Sequence, residues 1–132
     1  MPKANEAAPP EAPLDCPFCP RLFDFRAANK RAHPDWFNAP VPSFGDLSGR
    51  LLIVGLAPGL QGANRTGRPF TGDYAGDLLY STLAKYGFST GAYASHPDDG
   101  VQPKDALLSN AVRCVPPENK PTGAESLECP QS

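Results

Sequence analysis

The sequence predicts an α/β fold, a parallel sheet flanked by helices, and three observations lead there. Residues 50–58, RLLIVGLAP, are a short apolar run stopped by glycine and proline, the pattern of a parallel strand buried on both faces. After Asp73, the stretch YAGDLLYSTLAKYGF sets Leu78, Leu79, Leu83 and Tyr86 at helical spacing, with Gly87 as terminator. Residues 106–115, ALLSNAVRCV, read as a second strand. Strand, helix and strand make one βαβ unit, whose crossover is expected to be right-handed.

The flanking segments follow from local chemistry. Residues 1–15 are rich in Ala, Pro and Glu without periodicity and read as a disordered leader, leaving 16–132 as the folded unit. A helix is expected to begin near Pro20, since proline is tolerated in a first turn. HPDWFNAPVPSFGD should be an extended connection carrying Trp36 and Phe37 as packing anchors, and residues 88–105 an irregular one. Thr122 with Glu125 three residues later is a capping-box signature for a last helix. Two parallel strands alone leave sheet edges open and a core half enclosed. The chain thus reads as the incomplete front part of a larger α/β domain, with only its first two strands present.

The 132 residues, 40% of them hydrophobic, suit one domain with one modest core. Seventeen prolines and twelve glycines demand much loop. Twelve Lys and Arg against fourteen Asp and Glu give a net charge of -2, so no global field draws the chain to nucleic acid and any polyanion site must be local. No eighteen apolar residues run together, and the first residues lack the apolar core of a secretory signal. A soluble, monomeric, cytoplasmic protein with no membrane contact is the expectation.

In a reducing compartment the four cysteines are better read as ligands than as disulfides. Cys16 and Cys19 form a C-x2-C pair, and Cys114 and Cys129 a C-x14-C pair. The four can meet only if the fold closes its ends together, which would make a thiolate site a clasp for zinc or a [4Fe-4S] cluster. The competing reading is of buried cysteines acting as small hydrophobes.

Between the first strand and the central helix lies GLAPGLQGANRTGRPFTGD, residues 55–73, with five glycines, two prolines and two arginines around one carboxylate. So much glycine suggests backbone brought close to a ligand. Phosphate-binding motifs do not fit: the loop lacks the Gly-Lys-Ser/Thr ending of a P-loop, and Gly55, Gly59 and Gly62 do not space as G-x-G-x-x-G.

GLAPG followed by NRTGRPFTGD, together with CPFCPRL, PVPSFGD and NAVRCVPPENKPT, resembles the type B, or family 5, uracil-DNA glycosylases, iron-sulfur members of the uracil-DNA glycosylase superfamily. The likeness runs in order over roughly residues 16–129. Family 4 relatives carry an acidic residue where this loop has Leu56.

The resemblance implies DNA containing uracil or other deaminated bases as partner, and hydrolysis of the bond between base and sugar. It makes Asp73 the catalytic carboxylate, steadying a sugar cation or orienting water, whereas by position Asp73 is equally an N-cap. Phe70 becomes the platform that stacks the base, against a plain core role. Asn110 carries the donor and acceptor needed to read a uracil edge, against a role as a strand-end turn residue. The backbone of Gly55, Leu56, Ala57 and Gly59 would hold the departing base or a flanking phosphate. Arg65 and Arg68 would meet DNA phosphates, or be solvated surface residues. Cys16, Cys19, Cys114 and Cys129 would hold the [4Fe-4S] cluster, with zinc as the alternative.

Family members continue through two further strands and a late His-Pro-Ser loop that have no counterpart in these 132 residues. Neither His33 nor His96, each followed by proline, stands in for that loop's histidine. Little or no glycosylase activity is therefore expected of this chain alone. A non-catalytic iron-sulfur or zinc module that binds DNA is the rival reading.

Overall fold

A computed structural model of the chain describes residues 12–128. Residues 1–11, most of the expected leader, and Cys129 lie outside the described residues. The leader's last part is tied down, because the Leu14 carbonyl accepts a hydrogen bond from Arg26 at 3.1 Å.

Helix α1, Pro20–Ala32, starts as expected, with Pro20 in its first turn. It buries Leu22, Arg26 and Asn29, one stripe at i, i+4 and i+7. Three strands follow from the pairing of distant segments: β1 (Phe44–Gly45), β2 (Leu51–Gly55) and, late in the chain, the strand Ala106–Asn110. Between them lie a single helical turn, α2 (Ala63–Thr66), helix α3 (Tyr74–Lys85), and the antiparallel pair β3 (Ser89–Thr90) and β4 (Gln102–Pro103), so Ala106–Asn110 is β5. A 3-10 turn at Pro117–Asn119 leads to α4, Gly123–Glu128. Among the described residues no helix is long and apolar enough to cross a membrane.

The expected parallel pair is present: β2 lies beside β5 in a register running from Leu51 opposite Ala106 to Gly55 opposite Asn110. The sheet is nevertheless mixed, because β1 adds antiparallel to the other side of β5. Central β5 is buried along its whole length. Strand β2 departs from expectation: Ile53 packs toward the core, while Leu52 and Val54 are 60% and 55% exposed on the other face. Its apolar run suits a strand with two covered faces, and the described residues cover one.

The main core joins Tyr80, Leu83, Val101, Ala106 and Leu108, with Phe44, Ile53 and Phe70 packed against them. The face α3 turns inward is Gly76, Tyr80 and Leu83. Leu78 and Tyr86 are exposed, contrary to expectation, because the buried stripe follows Tyr80 instead. Gly87, with φ 83°, follows the helix end as expected. Phe37 lies against Gly67, and Trp36 stacks on His33 at 3.7 Å.

A second cluster of Cys19, Leu22, Val112 and Cys114 brings the two ends of the chain together. Arg21 completes this closure with two bonds to Glu125, of 2.9 and 2.8 Å. Glu125 in turn accepts from the Thr122 amide while the Thr122 hydroxyl accepts from the Glu125 amide, the capping box read from the sequence.

At the centre is a buried ion pair. Arg68 donates to both oxygens of Asp99, at 2.7 and 2.9 Å, and the two side chains are 4% and 0% exposed. The guanidinium lies 5.0 to 5.5 Å from the ring centres of Phe44, Tyr80 and Tyr93. Asp99 also accepts from the amides of Ala94 and Val101. The bonds from Arg68 hold the Asp99 carboxyl well below the usual carboxylate range, against the opposing effect of burial.

An unfolded aspartate titrates near about 3.9, so in acid the unfolded chain takes up this proton before the folded one does. Stability should therefore be at its full value above about pH 5 and fall as the pH drops through 4 and below. Urea unfolding across that range tests this. The slope should flatten in Asp99→Asn, which itself should cost about 3–5 kcal/mol at neutral pH by leaving Arg68 buried without its counter-charge.

Candidate active site

The loop after β2 reaches the first turn of α3 by folding back on itself. The Gly59 carbonyl accepts from the amides of Gly62 and Asn64, at 3.2 and 3.0 Å, closing the turn into α2. The Thr66 and Thr71 hydroxyls meet at 2.6 Å, and the Arg68 carbonyl accepts from Thr71 at 3.0 Å. The Tyr80 hydroxyl donates to the Pro69 carbonyl at 2.7 Å. Phe70 then turns through a left-handed conformation, φ 59°, at a cost of about 1–2 kcal/mol for a residue with a side chain.

Two glycines make this path possible. A Cβ on Gly76 would run into the Phe70 carbonyl, so the start of α3 can seat against Phe70 only as glycine. A Cβ on Gly55 would stand 2.5 Å from Asn110 Oδ1 and 2.7 Å from the Phe70 ring. Gly55 is thus the point at which the stacking candidate and the reading candidate meet. Gly59 differs, since a Cβ there would find nothing nearer than 4.0 Å. Its missing side chain leaves space on the cleft wall instead of relieving a clash.

That cleft has a volume of about 510 Å³ and is lined by residues 56–62 together with Gly72, Asp73 and Asn119. It gathers Leu56, Ala57, Gly59 and Asp73 from the sequence-read site. Asp73 occupies the N-cap of α3, its Oδ1 accepting from the Gly76 amide at 2.8 Å. The N-cap reading of Asp73 is met, and its exposed side chain also stands on the cleft wall. Asn110, 6% exposed, borders a neighbouring hollow of about 240 Å³ with Leu52, Val54 and Arg113. Phe70 is half-buried and packs on the main core, so the core reading of this ring is partly met.

The two arginines separate. Arg65 is exposed and able to meet a phosphate. Arg68, expected at DNA, is instead 3% exposed and occupied by Asp99, so it has no access to a phosphate. Asn119 was passed over in the sequence, yet it stands on the same cleft as Asp73. It is held there by two successive left-handed residues, Glu118 and Asn119, at φ 56° and 60°. The asparagine in PPENKP, a residue type that tolerates this conformation, was the available signal.

Of the cysteines, Cys16, Cys19 and Cys114 are buried, and Cys19 and Cys114 share one cluster. That pairing suits a thiolate donor set contributed from both ends of the chain. Among the described residues no three His, Cys, Asp or Glu side chains come together as a metal site, and Cys129 lies outside them.

Two substitutions separate packing from open space. Gly76→Ala should destabilise by about 1–3 kcal/mol through overpacking against Phe70. Gly59→Ala should stay within about 0.5 kcal/mol of the parent. Urea unfolding midpoints at constant slope measure both.

The sequence model of the Uracil DNA glycosylase superfamily matches residues 42–132. The chain is 42% identical over 120 residues to a type-5 uracil-DNA glycosylase of Pyrobaculum aerophilum, covering 88% of this chain and 53% of that protein. It is 48% identical over 120 residues to the type-5 uracil-DNA glycosylase of Thermus thermophilus, covering 86% and 54%. A type-4 uracil-DNA glycosylase of Pyrobaculum aerophilum is 34% identical over 88 residues, 67% of this chain and 37% of that protein. The chain spans about half the length of the type-5 relatives it matches. The likeness carried by GLAPG and NRTGRPFTGD is thus borne out across most of the sequence, and the chain belongs to the Uracil DNA glycosylase superfamily.

Proposed function

We propose that these residues form part of a DNA-repair glycosylase that hydrolyses the N-glycosidic bond of uracil in DNA. The observation that carries this reading is Asp73 on the wall of the cleft, capping α3 through one oxygen. As the bond to the base lengthens, positive charge grows on the sugar, and a fixed carboxylate beside it lowers the barrier. Water adds at the anomeric carbon and gives up a proton, and the base departs with the bonding electrons. The products are free base and an abasic site.

The remaining residues take roles in binding. Phe70 offers a face to the base, and the Asn110 amide, against Gly55, offers a donor and an acceptor to the uracil edge. The backbone at Gly55, Leu56, Ala57 and Gly59 allows close approach, and Arg65 supplies local positive charge for phosphate. Asn119 places a side-chain amide on the cleft that Asp73 lines. The names of the relatives support DNA as the partner.

A [4Fe-4S] cluster on Cys16, Cys19, Cys114 and Cys129, with zinc as the alternative, is the second element of this proposal. Its support is the burial of three of these thiols and the shared cluster of Cys19 and Cys114. Such a group would clasp the chain ends that Arg21 and Glu125 already join.

The decisive test joins residues 16–132 to the remaining length of the Thermus thermophilus relative and assays a labelled oligonucleotide carrying one uracil. The chimera should excise uracil, and Asp73→Asn should lower turnover by about 10²- to 10⁴-fold. Asparagine keeps the helix cap, so melting should not change. A folded chimera that binds uracil-containing DNA without excising the base would sink the reading in favour of a binding module, and an Asp73→Asn variant that excises as before would remove Asp73 from the chemistry. For the metal, the purified protein should be brown, with iron and sulfide in equal amounts and absorbance that bleaches on reduction. A colourless protein holding stoichiometric zinc overturns the iron-sulfur assignment.

A further inference from the structure

Arg68 is too deeply placed to touch DNA, yet it stands two residues from the ring assigned to the base. The connection between them is short and fully specified. The guanidinium is forked onto Asp99 and boxed by Phe44, Tyr80 and Tyr93, with the Tyr80 and Tyr93 rings stacked at 4.5 Å. Tyr80, one wall of that box, donates its hydroxyl to the Pro69 carbonyl. The Arg68 carbonyl is held by Thr71 and the Phe70 carbonyl abuts Gly76. Phe70 is therefore gripped on both sides while its own backbone sits in a conformation that only its surroundings sustain.

We propose that Arg68 is a positioning residue: clamped by Asp99 inside the three rings, it holds Pro69 and Phe70 in place and thereby sets the Phe70 ring against Gly55 and Asn110. A guanidinium suits this task because its planar fork fixes orientation as well as charge, and its flat faces pack on aromatic rings. A lysine would restore charge without the fork. The base-stacking consequence rests on the glycosylase reading above, whereas the placement of the ring does not.

The test exploits that division. In the full 132-residue chain, the Gly55 α-protons lie beside the Phe70 ring and should show a ring-current shift and cross-peaks to it in NMR spectra. Arg68→Lys and Asp99→Asn should weaken or abolish those cross-peaks, while cross-peaks between β2 and β5 persist. Arg68→Met should do the same if it folds; Arg68→Lys carries the test if it does not. Unchanged Phe70 to Gly55 cross-peaks in folded Arg68→Lys and Asp99→Asn, however much melting falls, overturn the proposal and leave Arg68 a core strut. In the chimera, Arg68→Lys should raise KM for uracil-containing DNA about tenfold or more with a smaller change in kcat. A moved ring with unchanged KM keeps the positioning role and rejects Phe70 as the base platform, so the two failures are distinguishable.

Discussion

The bond on which the rest of this architecture depends joins Arg68 to Asp99. It puts a full positive and a full negative charge where water is excluded, a placement that is costly unless each charge is well matched. The match is close: two nearly parallel hydrogen bonds, two further backbone amides on Asp99, and three aromatic faces around the guanidinium. The pair also joins pieces that share no secondary structure. Arg68 belongs to the glycine-rich loop, Asp99 to the connection before β4, Phe44 to β1 and Tyr80 to α3. A segment read as loop is in this way made part of the core.

From that anchor the candidate site is built outward. Hydrogen bonding and contact hold the carbonyls of Arg68, Pro69 and Phe70 in turn, and α3 begins immediately beyond, with Asp73 as its cap. Capping engages Oδ1 of that carboxylate at the helix start, and the side chain also lines the cleft. The cap fixes the group at the first turn of α3, on the wall of the cleft. Opposite it, Gly59 and Asn119 shape the cleft with space and with an amide.

What was legible in the sequence was mostly what neighbours in the chain decide. Pro20 at the start of α1, the Thr122 and Glu125 box, Gly87 beyond α3 and Asp73 at the strand-to-helix bend all act within a few residues of themselves. The pairing of β2 with β5 was also readable, because two apolar runs flanking a helix have few other arrangements. Arg68 and Asp99 were not, being 31 residues apart in polar, proline-containing segments where nothing periodic signals a contact. Tyr80 was hidden for a related reason, since leucines suggest a core face more loudly than a tyrosine whose hydroxyl finds a carbonyl. Burial of β2 on both faces was inferred from composition, but composition reports only that a face is apolar and says nothing of what lies over it.

The face of β2 that the described residues leave uncovered is an adhesive surface. Leu52 and Val54 present branched aliphatic groups to water on a strand whose outer edge has no partner among the described residues. Exposed edges with apolar flanks recruit further strands, so two copies meeting here gain both ladder bonds and dehydrated surface. Any contact between copies through this surface would grow with concentration, be strengthened by sulfate or phosphate, which favour apolar burial, and be weakened by modest urea. Dilution and low salt would oppose any such contact.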